Sequence, residues 1–114
     1  MNGNPNKKQQ NFHGWCRGLG CIISGNSASI HHIRGSRFKL KGVAKPGEWM
    51  VLPLSYYYHQ GDCGIHTHKL SFEKAWGTQK ELYIVLINKY QREFNRKPME
   101  EFEYNIILER GFSL

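Results

Sequence analysis

Apolar residues recur at helical spacing most clearly in the second half of the chain. Leu82, Tyr83, Leu86, Ile87, Tyr90 and Phe94 follow one another at the intervals that line one face of a helix. Thr78, with Glu81 three residues later, is a capping-box pattern that marks where this helix begins. A last helix is expected from about Pro98 to just before Gly111, with Met99, Phe102 and Ile106 on one face. The pattern upstream is different. From Phe12 to Lys45 short apolar pieces (Cys21-Ile22-Ile23, Ser29 to Ile33, Phe38-Lys39-Leu40) are separated by glycines, which predicts turns and short strands and no long helix. Trp49-Met50-Val51-Leu52 runs into Pro53, which disfavours helical geometry at Leu52, and Leu54 to Gln60 then suits a helical turn or two. Asn2 to Asn11 are polar, with Pro5 and the Lys7-Lys8 pair, so residues 1–11 are expected to form a flexible basic arm ahead of a single domain at 12–114.

Composition narrows the function classes. With 114 residues, 39% of them hydrophobic, the chain suffices for one modest core. Sixteen Lys and Arg against nine Asp and Glu give a formal charge of +7, which favours a polyanionic partner, nucleic acid first. Three cysteines form no evident framework, and neither a signal-peptide pattern nor an apolar run of roughly 20 residues is present, so a cytoplasmic protein without membrane contact is expected.

The histidines carry the candidate chemistry. Five of the six are His31, His32, His59, His66 and His68. Neighbours on a strand point to opposite faces, so His31 and His32 suit different roles. Phosphodiester hydrolysis needs a base to activate water and a Lewis acid to stabilise the developing charge, and a free histidine beside a histidine-held cation supplies both. The competing reading is a closed structural zinc site saturated by three or four imidazoles.

Leu19-Gly20-Cys21, His31-His32-Ile33, Leu52-Pro53-Leu54 with His59, Gly64-Ile65-His66 and the stretch from Phe72 to Gly77 together resemble the phage recombination-enhancement, RecA-dependent nuclease family. The resemblance covers roughly Phe12 to Leu86. It implies an α+β fold with a small HNH-type ββα-metal core and additional C-terminal helices. It also implies one divalent cation (Zn, Mg, Mn or Ni), with His32 as general base and His31, His59 and His66 as ligands; His68 is the substitute ligand if the register differs. DNA is the implied substrate and a RecA filament an implied partner, for which the arm offers only Lys7 and Lys8.

Relatives of this kind often hold a second, structural zinc with a Cys-x-x-Cys pair and a later Leu-Cys-x-x-Cys or Leu-Cys-x-x-His segment. Here the corresponding segments read Cys21-Ile22-Ile23-Ser24 and Leu54-Ser55-Tyr56-Tyr57-Tyr58, so no structural metal is expected, although Cys16, Cys21 and Cys63 leave a rearranged site open. Arg34, Arg37, Lys39, Lys41 and Lys45 follow the histidine pair with no acidic residue between them, which makes this the expected phosphate-contact segment. Trp49, Tyr56, Tyr57 and Tyr58 lie beside Val51, Leu52 and Leu54; core filling is expected of them before base stacking. The function expected is metal-dependent cleavage or nicking of DNA, and the alternative is an inactive HNH scaffold that binds nucleic acid or a protein.

Overall fold

In the computed structural model, which describes residues 4–61 and 64–113, a short strand β2 (Val51–Leu54) is buried along its whole length. It pairs antiparallel with β1 (Ser29–His32), His31 opposite Leu52 and His32 opposite Val51. Pro53 has no N–H to give a ladder, which a two-stranded sheet tolerates; its carbonyl instead accepts from the Ile22 amide at 2.9 Å, so the turn at 21–24 lies along the strand's outer side. Helices and this small sheet make an α+β fold.

Helix α1 (Lys7–Leu19) and helix α5 (Gln79–Phe94) both pack on β2. The expected flexible arm at 1–11 is therefore corrected from residue 6 onward, and so is the absence of a long helix after Phe12; residues 1–3 lie outside the described residues. The cause is local as well as tertiary. Asn6 and Gln9 form a capping box, each side chain accepting from the other's backbone N–H at 2.9 Å. The Gln9 side chain, wholly buried, then donates to the carbonyls of Ala44 at 3.1 Å and Lys45 at 3.0 Å. Gln9, Phe12, His13 and Cys16 are the buried face of α1, an i, i+3, i+4, i+7 stripe that is half polar.

Helix α5 starts where its capping box places it, Thr78 accepting from the Glu81 amide. It buries Leu82, Tyr83, Leu86, Ile87 and Tyr90, while Phe94 stays partly exposed. Tyr90 joins α5 to α1 through Phe12 and Trp15, with ring centroids 6.0 and 4.9 Å apart. The remaining elements are short: α2 (Pro46–Trp49), α3 (Tyr56–His59), α4 (Lys69–Trp76) and α6 (Glu101–Ile106), which continues as a π-helical turn at Ile107–Gly111. This last helix starts at Glu101 and not near Pro98; Met99, ahead of it, is buried, Ile106 half-buried and Phe102 exposed, so the expected shared face does not form. Tyr104 and Ile107 are buried there instead.

Gln9 ties α1 to the chain just before α2, so Gln9→Ala should lower the unfolding free energy by about 2 kcal/mol through two lost hydrogen bonds. Gln10→Ala, on the exposed side, should change it little. Urea denaturation of both variants checks this, and equal stabilities would mean that the segment contributes nothing to the fold.

Candidate metal centre

The strand period sends His31 and His32 to opposite faces of β1, one buried and one exposed. His31 meets His59, the last residue of α3, and His66 from the turn before α4. The three present one donor atom each, all within 4.8 Å of one another. The His31 ring lies with its centroid 5.0 Å from His59 and 4.9 Å from His66.

Backbone pairing brings the last two together. The Ile65 amide donates to Tyr58 at 2.9 Å and the His66 amide to His59 at 3.2 Å. Gly64 makes this possible: a β-carbon there would stand 2.8 Å from the carbonyl of His59, too close for any other residue without displacing the backbone.

Neighbouring groups orient the rings. Nε2 of His31 is 3.0 Å from Oε1 of Gln79, the first residue of α5, so N–H donation to that oxygen leaves the lone pair on Nδ1. Nδ1 is buried and has no hydrogen-bond partner. Nδ1 of His59 is 3.3 Å from the Ser29 hydroxyl, and its Nε2 faces Nε2 of His66 at 2.9 Å. Burial pushes the His31 pKa down to about 4, with a Gln79 hydrogen bond opposing and the neighbouring imidazoles assisting. Burial, then His66, lowers that of His59. Three imidazoles with one donor atom apiece within 4.8 Å of one another, one of the rings carrying an orphaned buried nitrogen, are a donor set a divalent cation takes. His31 is buried, His59 half-buried and His66 exposed, so the triad is open on one side.

His32 is held elsewhere. Its Nε2 lies 3.0 Å from Oε1 of Glu48, and Nε2 of His13 lies 2.7 Å from the Glu48 carbonyl and 3.8 Å from the same carboxylate oxygen. His13, His32 and Glu48 are a second group of potential ligands, but hydrogen bonds within the group already occupy these atoms and no orphaned nitrogen faces in. The assignment of His32 as base to the His31 ion meets this obstacle directly: the two side chains leave the strand on opposite sides. His68, the substitute ligand, is exposed at the start of α4 and stands outside the triad. Of the cations expected to touch phosphate, Arg37, Lys39 and Lys41 are exposed and Lys45 half-buried. All four line an open groove of about 700 Å³ with Phe38 and Leu40. Arg34 differs, its Nε donating to the Gly111 carbonyl at 3.2 Å and its guanidinium lying over Phe38.

Gln79, Glu48 and His13 are the site residues that sequence reasoning missed. Gln79 is unremarkable inside a capping-box start, and Glu48 and His13 become neighbours only when α1 folds against α2. Cys16 and Cys21 are buried free thiols, no cysteine joins either ligand group among the described residues, and Cys63 lies outside them. Trp49 is buried as expected, whereas Tyr56 and Tyr57 are exposed, a correction taken up below.

Zinc titrated into metal-free protein should bind with an affinity that falls steeply in His31→Ala, His59→Ala and His66→Ala, about ten- to hundred-fold in Gln79→Ala, and little in His68→Ala. Calorimetry distinguishes this from a site that uses His68. In the metal-free protein the low His31 pKa means that the unfolded chain binds more protons than the folded one below pH 6.5. Stability contributed there is present above 6.5 and is lost as pH falls toward 4. Urea midpoints across this window should reveal a slope that His31→Leu reduces, the remainder belonging to the other histidines of lowered pKa, His59 and His13.

No protein-family model, curated protein or solved structure matches this chain.

Proposed function

We propose that this chain is a metal-dependent DNA endonuclease of the HNH type, built on a ββα-metal core formed by β1, β2 and the short helices α3 and α4. The single observation that carries the reading is the open triad of imidazoles, His31, His59 and His66, with the buried Nδ1 of His31 lacking a protein partner. A divalent cation bound there would act as a Lewis acid on a phosphate oxygen. Three protein ligands with a solvent-open side favour catalysis over a closed structural zinc site, which takes four.

The chain's own residues supply the rest. Gln79 orients the His31 ring and Ser29 that of His59. Arg37, Lys39, Lys41 and Lys45 offer cations to the phosphate backbone, giving affinity with weak sequence preference. His32 is the proton acceptor that the family resemblance implies, and from the opposite face of β1 it would serve a substrate that reaches around the end of the strand. It ends β1, its side chain is 38% exposed, and donation from Nε2 to Glu48 leaves its lone pair on Nδ1. The carboxylate stabilises the imidazolium that proton transfer would form.

One observation favours a second reading, a scaffold that binds nucleic acid without cutting it: His32 leaves β1 on the face opposite His31. The two readings separate in one experiment. Supercoiled plasmid and single-stranded DNA are incubated with Mg²⁺, Mn²⁺ or Zn²⁺ and the wild type, His31→Ala or His32→Ala. The nuclease reading expects metal-dependent nicking, lost in His31→Ala together with metal affinity. In His32→Ala it expects nicking to fall by about 10²- to 10⁴-fold with metal affinity kept. Undiminished cutting by His32→Ala removes that residue from the mechanism, and binding without cutting under every metal leaves the scaffold reading.

A further inference from the structure

Of the three tyrosines after β2, Tyr58 packs against the core while Tyr56 and Tyr57 do not fill it. Tyr56 is 72% exposed and Tyr57 50%, and across from them α4 exposes Leu70 at 83% and Trp76 at 45%. Two of these, Tyr57 and Trp76, line one open cleft of about 590 Å³ between α3 and α4, walled by Tyr57, Tyr58, Phe72 and Trp76, with His68 and Ser71 at its polar rim; large exposed aromatic surface of this kind needs an occupant or a function.

The rings are arranged edge to face. Tyr58 meets Tyr57 at 90° and Trp76 at 86°, with centroids 4.9 and 5.7 Å apart. In an edge-to-face pair the edge of one ring meets one face of the other, so each contact takes at most one ring face, and Trp76, 45% exposed, keeps surface for a flat guest. Helix α4 carries exposed Lys69 and Lys74 against a single half-buried Glu73, in a chain of net charge +7, a balance that suits an anion.

The cleft is also tied to the candidate metal centre. Tyr58 and Ile65 are paired by the hydrogen bond adjacent to the one that pairs His59 with His66. One wall of the cleft and two of the three ligands thus belong to the same pair of backbone segments.

We propose that this cleft stacks an unpaired nucleobase of a single-stranded nucleic acid. A strand whose phosphate approaches the triad would present its base to Trp76 and the tyrosines, with His68 and Ser71 meeting the base edge. A paired base keeps its faces inside the duplex stack and cannot enter. The proposal rests on the nucleic-acid reading above and extends it to a substrate class, single strands or locally unpaired duplex.

The test measures binding with metal removed by chelation, so that cleavage plays no part. A short oligothymidylate, an abasic oligomer with the same number of phosphates and a duplex of the same length are titrated while tryptophan fluorescence is recorded. Expected are quenching by the thymidylate and affinity about 5- to 100-fold weaker for the abasic strand, with weaker binding of the duplex. Trp76→Ala should bind the thymidylate as weakly as wild type binds the abasic strand, and lose most of the quenching although Trp15 and Trp49 remain. Equal affinity of wild type for the base-bearing and abasic strands overturns the proposal whether or not the variant folds. A protein that prefers the base-bearing strand yet never cuts keeps this inference and loses the nuclease reading; one that cuts without that preference does the reverse.

Discussion

The pairing of His31 with Leu52 and of His32 with Val51 holds two neighbouring imidazoles on opposite sides of a strand whose partner is wholly buried. Register is strongly specified under such conditions, because a slip of one residue would exchange the two faces. His31 would then leave its pocket beside Gln79, and His32 would bring an exposed side chain inside. The buried strand β2 thus does more than fill the core. It fixes which histidine meets the ligands from α3 and the turn before α4, and which meets Glu48.

Gly47 has a comparable effect on the other face. A β-carbon at this position would collide with the carbonyl of Gly35, so the loop after β1 closes over α2 only because residue 47 lacks one. That closure sets Glu48 against His32 and lets the Glu48 carbonyl accept from His13. Burial lowers the His13 pKa, with the Glu48 contacts opposing. The two histidine groups are therefore built by different means, one by a strand and a backbone pairing at Gly64, the other by a helix docked through Gln9.

Much of this was legible in the sequence, and the gaps have physical causes. Helix α5 could be read because both its cap and its apolar stripe are written in residues whose roles seldom change. The meeting of His31, His59 and His66 came from a resemblance between short motifs; spacing alone would not have found it, since residues 31 and 59 approach only through the hairpin. Helix α1 was hidden because its buried stripe contains Gln9 and His13, which a hydrophobic pattern scores as surface, and because Gly14 and Gly18 weaken its propensity. The Asn6 to Gln9 box was a visible signal of its start. The tyrosines misled in the other direction: proximity to Val51, Leu52 and Leu54 in sequence suggested burial, but the chain turns after Leu54 and α3 carries Tyr56 and Tyr57 outward.

The distribution of charge gives the triad its chemical character. Glu48 is the one buried carboxylate among the described residues, and it faces His32 and His13, away from His31. Three neutral imidazoles do not reduce the formal charge of a cation they hold, whereas a carboxylate ligand would. A divalent ion held by such a set keeps a stronger pull on an anionic ligand at the open side. The basic groove of Arg37, Lys39, Lys41 and Lys45 adds attraction of the same sign. A site that left its cation's charge unbalanced, on a chain already carrying +7, would be electrostatically incomplete until an anion arrived, and under the proposed reading a nucleic-acid phosphate is that anion.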